Sequence, residues 1–546
     1  MMHARLSVLA LLAATFLLFA ACTDPANIAT GGAGGGGTSS ASSTGGHGGS
    51  LCTPGATMAC YSGPAGTEGI GACRAGQKTC DAAGAAWGAC VGEVLPSAED
   101  CSTPEDDECT GNIAPCGAST TWSKHFADAA DNPSASWSVA LDDAADVFFC
   151  GSFAGAASFD GSTLSSTGPR DIFLAKLSPS GAQQWSKHLA ADATSPLLAA
   201  NGLGEIVVAA GVAGPIDLGG GPLTGQDLLH DLVIAKLDKD GQYVWAKRAV
   251  KMGTALYPTA LTTAPNGDIL MTVPNAALLD LGCGPTSLPA GFGGGSIVAK
   301  LDKDGKCLWS KGIASNQLVA EKIGFDASGN VLVAGSFGSS ADFGGGPVFS
   351  GNYTSYLFLE KRAPDGTHLT TKIWGGYWSQ LPAVKGLAVD ATGNIILTGT
   401  FDASSPLDFG QGPITSANAY ASAYLAKLDQ SGAGLWSKAF GPGNTAGLDV
   451  ALTPGGDIVA LGQLQGSADL GTGTLTGNPG LYLARFSASG TIASASAFQG
   501  VKSARLSVDG KGNAVIAGGF VESIDLGTGM LVSAGGLDGF VANLGH

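Results

Sequence analysis

Aspartates that recur in one short motif, Asp-Leu/Phe-Gly-x-Gly, are the side chains with the most evident potential for chemistry. They are Asp217, Asp280, Asp342, Asp408, Asp469 and Asp525, with Asp160 in a shifted version of the motif. A ring of such carboxylates would suit Ca²⁺, which prefers oxygen ligands. The same residue types also build tight turns, because Asp accepts backbone N–H hydrogen bonds and Gly adopts positive φ. Since functional sites usually break repeat symmetry, we expect turns and no cofactor, with Ca²⁺ binding as the alternative.

A row of basic residues and seven histidines complete the candidates. We name the first set the Lys row: Lys176, Lys236, Lys300, Lys361 and Lys427, with Arg485 and Asn543 at the matching positions. It would suit an anion, but we expect it to face solvent or to protect strand edges. His125 and His188 occupy equivalent positions in successive repeats, and no histidine lies at metal-binding spacing from another ligand type. No serine lies in a Gly-x-Ser-x-Gly elbow followed by a suitable Asp and His. We therefore predict no catalytic residues and no metal ligands.

These residues belong to a unit that is repeated seven times. Its clearest marker is a tryptophan spaced by 63, 60, 64, 65 and 62 residues, at Trp122, Trp185, Trp245, Trp309, Trp374 and Trp436. A fixed period of this length indicates a repeat architecture. Each unit also holds continuous apolar runs, such as residues 331–335, separated by turns at hairpin spacing. Such runs predict a four-stranded antiparallel sheet that is covered on both faces.

Sheets stacked around a ring bury both faces, as in a β-propeller. The last unit ends at His546 without a Trp strand, and an extra Trp strand, residues 121–125, precedes the first unit. We therefore predict that these two ends share one sheet and close the ring. Over residues 119–546 the repeats resemble the bacterial seven-bladed β-propeller repeat (SBBP) family. The expected fold is all-β: a seven-bladed β-propeller of four-stranded antiparallel blades, closed by the N- and C-terminal strands and preceded by a small disulfide-rich module.

The N-terminus is typical of an export signal. His3 and Arg5 precede an apolar run over residues 6–21, and the sequence Leu-Phe-Ala-Ala-Cys ends at Cys22. This sequence resembles the bacterial lipobox, which implies a signal peptide over residues 1–21 and a lipidated Cys22. An ordinary secretory signal is the alternative. Thr23 implies sorting to the outer membrane, by resemblance to known sorting patterns. Residues 22–50 carry the lipidated Cys and form a Gly/Ser-rich tether.

Residues 51–118 hold eight cysteines: Cys52, Cys60, Cys73, Cys80, Cys90, Cys101, Cys109 and Cys116. An even number in a short exported segment predicts a disulfide-rich module whose pairing stays open. Residues 60–69, with the cysteines that follow, resemble a module of myxobacterial surface lipoproteins. The acidic residues 105–108 fit a solvated loop better than a metal site. Among the later cysteines, Cys150 fits a buried free thiol, whereas Cys283 and Cys307 either pair or are independent.

The charge balance limits the partners. Lys and Arg number 27 against 44 Asp and Glu, a net charge of −17, which argues against nucleic acid and anionic membrane surfaces. The sequence favours a non-enzymatic, lipid-anchored protein of the outer membrane or cell surface, whose propeller is a binding or structural scaffold for a protein or glycan. The alternative is a propeller enzyme (a lyase, a glycosidase or a quinoprotein-like enzyme) with its site at one mouth of the channel. Carboxylates, Arg and Tyr unique to single blades would favour the enzyme if they converge at one mouth.

Overall fold

A computed structural model describes most of the chain. The described residues are 52–97, 109, 120–128, 137–189, 192–225, 229–249, 255–274, 276, 278–288, 291–292, 294–349, 355–377, 382–404, 406–416, 421–441 and 443–545. The predicted signal peptide, Cys22 and the tether lie outside these residues, as do Cys101 and Cys116. No helix in the described part has the length and apolar character needed to cross a membrane.

The chain divides into two compact units. One comprises residues up to Cys60 together with Gly76–Val91, and the other comprises Tyr61–Ala75 and Gly92–His546. In the first unit, strand Thr57–Cys60 pairs with strand Gly76–Thr79, and disulfides join Cys52 to Cys80 and Cys60 to Cys90. In the second unit, a disulfide joins Cys73 to Cys109. The boundary between the module and the propeller at residue 118 stays a prediction.

The second unit is a β-propeller, and within its described residues seven four-stranded antiparallel blades follow one another. Each blade has an inner, a second, a third and an outer strand. Blade 1 contains Trp137–Leu141, Val147–Phe153, Asp171–Leu177 and Gln183–Leu189; blade 2 contains Asp192–Ala200, Ile206–Ala213, Asp231–Leu237 and Tyr243–Ala249; blade 3 contains Ala260–Thr263, Ile269–Pro274, Gly295–Leu301 and the first part of Cys307–Phe325.

Blade 4 begins with the second part of that long strand. Its other strands are Val331–Asp342, Ser355–Arg362 and His368–Tyr377. Blade 5 contains Ala383–Val389, Ile395–Asp402, Ala421–Leu428 and Gly434–Phe440, and blade 6 contains Asn444–Leu452, Ile458–Asp469, Thr474–Phe486 and Ile492–Gln499. Blade 7 contains Val501–Val508, Ala514–Phe520, Asp538–Leu544 and Thr120–Asp128. Short strands also lie between the second and third strands of some blades: Ala156–Phe159, Ser162–Ser165, Ile216–Asp217, Pro222–Leu223, Pro347–Phe349, Ser523–Asp525 and Met530–Val532.

The two ends of the propeller close the ring, which confirms the predicted topology. Thr120–Asp128 pairs antiparallel with Asp538–Leu544, so that Trp122 lies opposite Asn543. The Thr121 hydroxyl donates to Asn543 Oδ1 at 3.0 Å. On its other edge, the same N-terminal strand pairs with Ala156–Phe159. Blade 7 is therefore built from both ends of the repeat region.

The hydrophobic core lies between adjacent blades. Every residue of the second and third strands of blade 1 is buried, because each sheet packs on a neighbour through both faces. The Phe126 and Phe173 rings stack at 3.9 Å between blades 7 and 1. Burial of such aromatic side chains contributes about 1.5–3 kcal/mol each, so closure of the ring is stabilised by packing as well as by strand pairing.

A contact from a tryptophan to a turn of the next blade recurs at Trp122, Trp185, Trp245 and Trp309. Lys236 and Trp245 lie opposite each other on neighbouring strands of blade 2, and both donate to the Lys303 carbonyl oxygen in a turn of blade 3, at 3.2 Å. The indole ring lies on Gly305 of that turn, where a Cβ atom would come within 2.9 Å of the ring. Gly305 has a φ of +78°, so the turn needs glycine for its conformation as well as for space.

One predicted member of the tryptophan series is misplaced. In blade 4 the residue opposite Lys361 is Thr370, whereas Trp374 lies opposite Leu357 and packs on Phe409 at 5.0 Å. The sequence pattern was matched on residue type, but the register is set by the turn that precedes the outer strand. Trp374 therefore does not hold the structural position of the other tryptophans.

Candidate functional site

The recurring aspartates build turns, as their repetition predicted. Asp217 Oδ1 accepts the backbone N–H groups of Gly219 at 2.8 Å and Gly221 at 3.1 Å. The other turns repeat the first of these bonds, at Asp280, Asp342, Asp408, Asp469 and Asp525. Asp160, in the shifted motif, pairs with Lys124 at 2.9 Å. In the described part of the chain, no three His, Cys, Asp or Glu side chains converge as they would around a metal ion.

The Lys row is mostly buried, so the expectation that it faces solvent was wrong. Lys176 is 5% exposed and lies 2.8 Å from Asp146 Oδ2 in its own blade. Its amine also donates to the Lys239 carbonyl oxygen of the next blade, at 3.4 Å. A nearby carboxylate and a carbonyl compensate the charge, and for this reason an amine can be buried at the blade interface. In blade 5, burial alone would raise the pKa of Asp390, but hydrogen bonds from Thr392, Asn394 and Lys427 hold that pKa well below its ordinary value.

The two equivalent histidines are partners of buried aspartates. His188 Nε2 lies 2.6 Å from Asp171 Oδ2 in blade 1, and His125 Nε2 lies 2.7 Å from Asp538 Oδ2 in blade 7. In blade 2, Arg248 replaces the histidine and contacts Asp231 at 3.0 Å. The exchange of His for Arg at one repeated position indicates that the contact with the buried aspartate is structural.

Two cysteine predictions are answered in the propeller. Cys283 and Cys307 form a disulfide that ties a turn of blade 3 to the start of its outer strand. In blade 2 the residues that match Cys283 and Cys307 are Gly220 and Tyr243, and the Tyr243 ring packs on Gly220. Cys150 is a buried free thiol, and burial raises its pKa to about 12.

The central channel is a concave site to which all seven blades contribute. The inner strands surround a cavity of about 570 Å³. In every blade, one residue of the inner strand lies opposite the fourth residue of the apolar run in the second strand. We name these residues the channel ring: Ser138, Leu197, Ala260, Lys322, Gly386, Asp449 and Arg505.

The channel ring breaks the symmetry of the repeat. Seven blades place seven different residue types at this position, whereas the turn aspartates recur in most blades. Its charged members lie in blades 4, 6 and 7, and blades 4 and 5 add Glu321 and Lys385 to the lining of the cavity. Tyr257, in the segment before blade 3, also lines it. Carboxylates, an arginine and a tyrosine from single blades thus converge in the channel.

β-Bulges place the two additional charged side chains. In blade 4, Ala320 lies opposite Gly335 and Lys322 opposite Ala334, which leaves Glu321 as an extra residue. In blade 5 the extra residue between Val384 and Gly386 is Lys385. A bulge changes the direction of a side chain and allows consecutive residues to reach the same side of a sheet.

The charged side chains of the channel form two ion pairs. Lys322 Nζ lies 3.1 Å from Asp449 Oδ1, and Asp449 Oδ2 accepts the Leu506 N–H at 3.3 Å. Glu321 forms a short ion pair with Lys385 and accepts the Val384 N–H at 3.0 Å. The Asp449 and Glu321 side chains are 13% and 12% exposed and those of Lys322 and Lys385 are 23% and 44% exposed, so the carboxylates are the more buried members of the two pairs.

The electrostatics of the channel differ from those of the whole chain. Burial lowers the pKa of the Lys322 amine; Asp449 opposes this shift and Arg505 reinforces it. Three cations face two carboxylates, which leaves a local excess of positive charge in a chain of net charge −17. In the described residues, no carboxylate forms an ion pair with the Arg505 guanidinium, which donates only a long hydrogen bond of 3.5 Å to the Ala504 carbonyl oxygen.

A second, smaller cavity of about 300 Å³ adjoins this cluster. Tyr257, Thr259 and Arg505 line both cavities, and Ser195 and Ser503 line the smaller one. Arg505 therefore lies where the two cavities meet. Sequence reasoning missed the channel ring, although counting four residues back from Asp326 and Asp509 in the inner-strand turns would have found Lys322 and Arg505.

The chain is thus a seven-bladed β-propeller with an asymmetric, charged channel. No protein-family model matches the sequence, and a comparison with curated proteins found no match. Among solved structures it is similar to a protein of unknown function from Dyadobacter fermentans, with 14% identity over 64% of this chain and 94% of that one, at a TM-score of 0.34. It is also similar to the Dos1 propeller, with 9% identity over 79% and 95% of the two chains and a TM-score of 0.35.

A third similar structure is an ulvan lyase, a polysaccharide lyase bound to -[GlcA(1-4)Rha3S]-. The identity is 11% over 78% of this chain and 96% of that one, with a TM-score of 0.35. These similarities concern the fold alone.

Proposed function

We propose that this protein is an exported, lipid-anchored binding protein whose propeller takes up a ligand in its central channel. One observation carries the proposal: the channel ring has a different residue in every blade, although the surrounding structural positions repeat. A position that only supports the fold is expected to hold the same residue type in each blade. A ligand that approaches from one side explains why the charges are gathered on blades 4 to 7. The cavity volume of about 570 Å³ falls in the range of about 300–1,000 Å³ that is usual for small-ligand sites.

The predicted anchor supports the proposed location. Cys22 would carry the lipid, and the Gly/Ser-rich residues up to 50 would hold the propeller away from an outer-membrane or cell surface. A binding protein in this position meets glycans and surface proteins of its environment.

The shape of the channel favours a glycan over a folded protein as the partner. A stable protein interface covers about 800 Å² of each partner, which a concave channel of this size does not offer. A sugar residue, in contrast, fits within the cavity. The aromatic ring of Tyr257 and the hydroxyl groups of Thr259 and Thr262 are of the kind that contact sugars.

The test is a binding screen of residues 51–546 against glycan and protein arrays. The wild type is compared with Lys322→Gln/Arg505→Gln in the channel and with Lys239→Gln, an exposed lysine in a blade 2 turn. We expect hits that the channel variant loses and the Lys239 variant keeps. Hits that survive the channel substitutions unchanged would show that the ligand binds elsewhere.

A second candidate function, a lyase, is favoured by the same convergence of carboxylates, an arginine and a tyrosine from single blades, which is the arrangement expected of a propeller enzyme. Lys322 has a lowered amine pKa and lines the same cavity as Arg505 and Tyr257. An elimination reaction needs a base that removes a proton and a group that stabilises the charge that develops next to a carboxylate. The Lys322 amine would act as the base only after passing its own proton to its partner Asp449, and the Arg505 guanidinium would stabilise the charge. A glycosidase fits less well, because Glu321 and Asp449 are each held in an ion pair. A quinoprotein would need a Cys-Cys dipeptide at its cofactor, and the sequence has none.

The lyase candidate predicts that acidic polysaccharides incubated with residues 51–546 yield unsaturated products, seen by their ultraviolet absorbance. Lys322→Gln would abolish this activity and preserve binding. Binding without any turnover would exclude the lyase and agree with the function of a binding scaffold.

A further inference from the structure

The channel holds one cation more than its carboxylates can neutralise. Lys322 is paired with Asp449 and Lys385 with Glu321, whereas Arg505 has no ion-pair partner in the described part of the chain. A charge in a cavity with low-dielectric walls attracts an opposite charge more strongly than it would on an open surface. We infer that the channel binds an anionic group, the carboxylate or sulfate of an acidic sugar, and that Arg505 contacts it. This inference rests on the proposed function.

The two ion pairs act as a frame for that contact. Asp449 is fixed by backbone N–H groups of Val450 and Leu506, and Glu321 by that of Val384. These backbone donors hold the carboxylates, and the carboxylates in turn hold Lys322 and Lys385. An incoming anion therefore meets a preorganised field of net positive charge and does not need to break either pair. Preorganisation of this kind lowers the cost of binding.

Arginine is suited to this role. Its planar guanidinium donates two parallel hydrogen bonds to a carboxylate or sulfate, which lysine cannot do. Arg505 is exposed to the channel, and its strand is fixed by pairing with the second strand of blade 7, where it lies opposite Ala517. The guanidinium thus stands on a rigid strand, where a binding group is positioned most precisely.

The surroundings of Arg505 indicate a sugar as the carrier of the anion. The two cavities that meet at Arg505 are lined by Tyr257, which is 38% exposed, and by the hydroxyl-bearing residues Thr259, Ser195 and Ser503. A sugar ring presents an apolar face and several hydroxyl groups, and this combination matches an aromatic ring among hydroxyl-bearing side chains. Two adjoining cavities also accommodate neighbouring residues of an oligosaccharide.

Isothermal titration calorimetry on residues 51–546 tests the inference. The probes are an oligogalacturonate, its carboxyl-reduced neutral counterpart, a sulfated oligosaccharide and a poly-glutamate peptide. We expect the carboxylated or the sulfated oligosaccharide to bind at least tenfold more tightly than the neutral one. Arg505→Gln should lower that affinity tenfold or more, with a smaller loss for Arg505→Lys.

Lys502→Gln is the matched control, because Lys502 is an exposed cation of the same inner strand that lines neither cavity. It should change the affinity less than twofold, and thermal melting should show that all variants stay folded. If the neutral oligosaccharide binds equally well and Lys322→Gln/Arg505→Gln abolishes its binding, the anion inference is overturned and the proposed function stands. If only poly-glutamate binds, the ligand is a peptide and the sugar class is wrong. If no probe loses affinity in the Lys322→Gln/Arg505→Gln variant, both proposals fail.

Discussion

Lys322 of blade 4 and Asp449 of blade 6 form an ion pair of 3.1 Å although their blades are not neighbours in the ring. The residue between them in the channel ring is Gly386 of blade 5. A Cβ atom on Gly386 would lie 2.7 Å from the Val450 backbone nitrogen, so blade 6 approaches blade 5 as closely as only a glycine allows. The absence of a side chain in blade 5 thus lets the two charged residues meet across it.

Gly386→Ala should therefore destabilise the propeller and disturb the channel. Overpacking of this kind costs about 1–3 kcal/mol, and the shift of the blade 6 inner strand should weaken ligand binding as well. Thermal melting checks the first effect and calorimetry the second. Gly510→Ala is the control, because a Cβ atom there meets nothing within 4 Å. Equal melting temperatures for the two variants would contradict the proposed role of Gly386.

Blade 4 offers a second test in its buried pair Glu360 and Arg362, which lie 2.6 Å apart. In blade 1 the matching residues are Ala175 and Leu177. Loss of one partner of a buried pair costs about 3–5 kcal/mol, whereas apolar replacement of both is often neutral. We expect Glu360→Ala to lower the melting temperature strongly and Glu360→Ala/Arg362→Leu to recover most of the loss. Additive losses in the double variant would contradict this.

The same pair predicts a pH dependence. Burial raises the pKa of Glu360 from 4.5 to about 7, and Arg362 only partly opposes this shift. Because the folded state binds the Glu360 proton more tightly than the unfolded state does, the contribution of this group to folding stability is full below pH 4.5 and is lost as the pH rises through about 7. A shift of this size corresponds to about 3 kcal/mol. The stability of the wild type relative to the double variant should therefore fall between pH 5 and 8, as measured by melting; a constant difference would contradict the assignment.

Ring closure predicts unequal effects of two deletions. Removal of residues 119–126 takes away the outer strand of blade 7 and exposes Phe173 and other apolar residues of blade 1. Removal of residues 23–50 takes away only the predicted tether. The first deletion should lower the melting temperature far more than the second. A chain without residues 119–126 that melts at the wild-type temperature would contradict the closed topology.

The predicted anchor has a direct test in Cys22→Ser. Without the thiol no lipid is attached, so the protein should leave the membrane fraction on cell lysis. Fractionation followed by immunodetection measures this, with Cys150→Ser as the control because that thiol is buried in the propeller. A Cys22 variant that stays with the membranes would contradict lipid anchoring.

Much of the fold could be predicted from the sequence, because strands that are buried on both faces read as apolar runs. The run that begins at Val331 and the extra strand around Trp122 are examples, and both lie where they were expected. Trp374 misled the repeat alignment because its spacing is right and its register is not. The Lys row misled the burial prediction, since the carboxylate that compensates Lys176 lies in a turn of the same blade, far from it in sequence.

The channel site could not be predicted for a related reason. Its charged residues lie on the inner strands, which carry the weakest sequence pattern, and they come from four different blades. Glu321 and Lys385 reach the channel through bulges that shift the alternation by one residue. A bulge leaves no clear signal in the sequence, so the charges at these positions resembled ordinary surface charges.

The most direct test of the account locates the ligand on the propeller. Hydrogen–deuterium exchange of residues 51–546 is measured with and without the strongest-binding probe of the screen. Each inner strand pairs with another strand on one edge only, so the amides of its other edge report on the channel. The account predicts slower exchange at residues 319–323, 447–450 and 503–506, and little change in the outer strand Gly434–Phe440. Protection confined to outer strands or to the turns between blades would contradict a binding site in the channel.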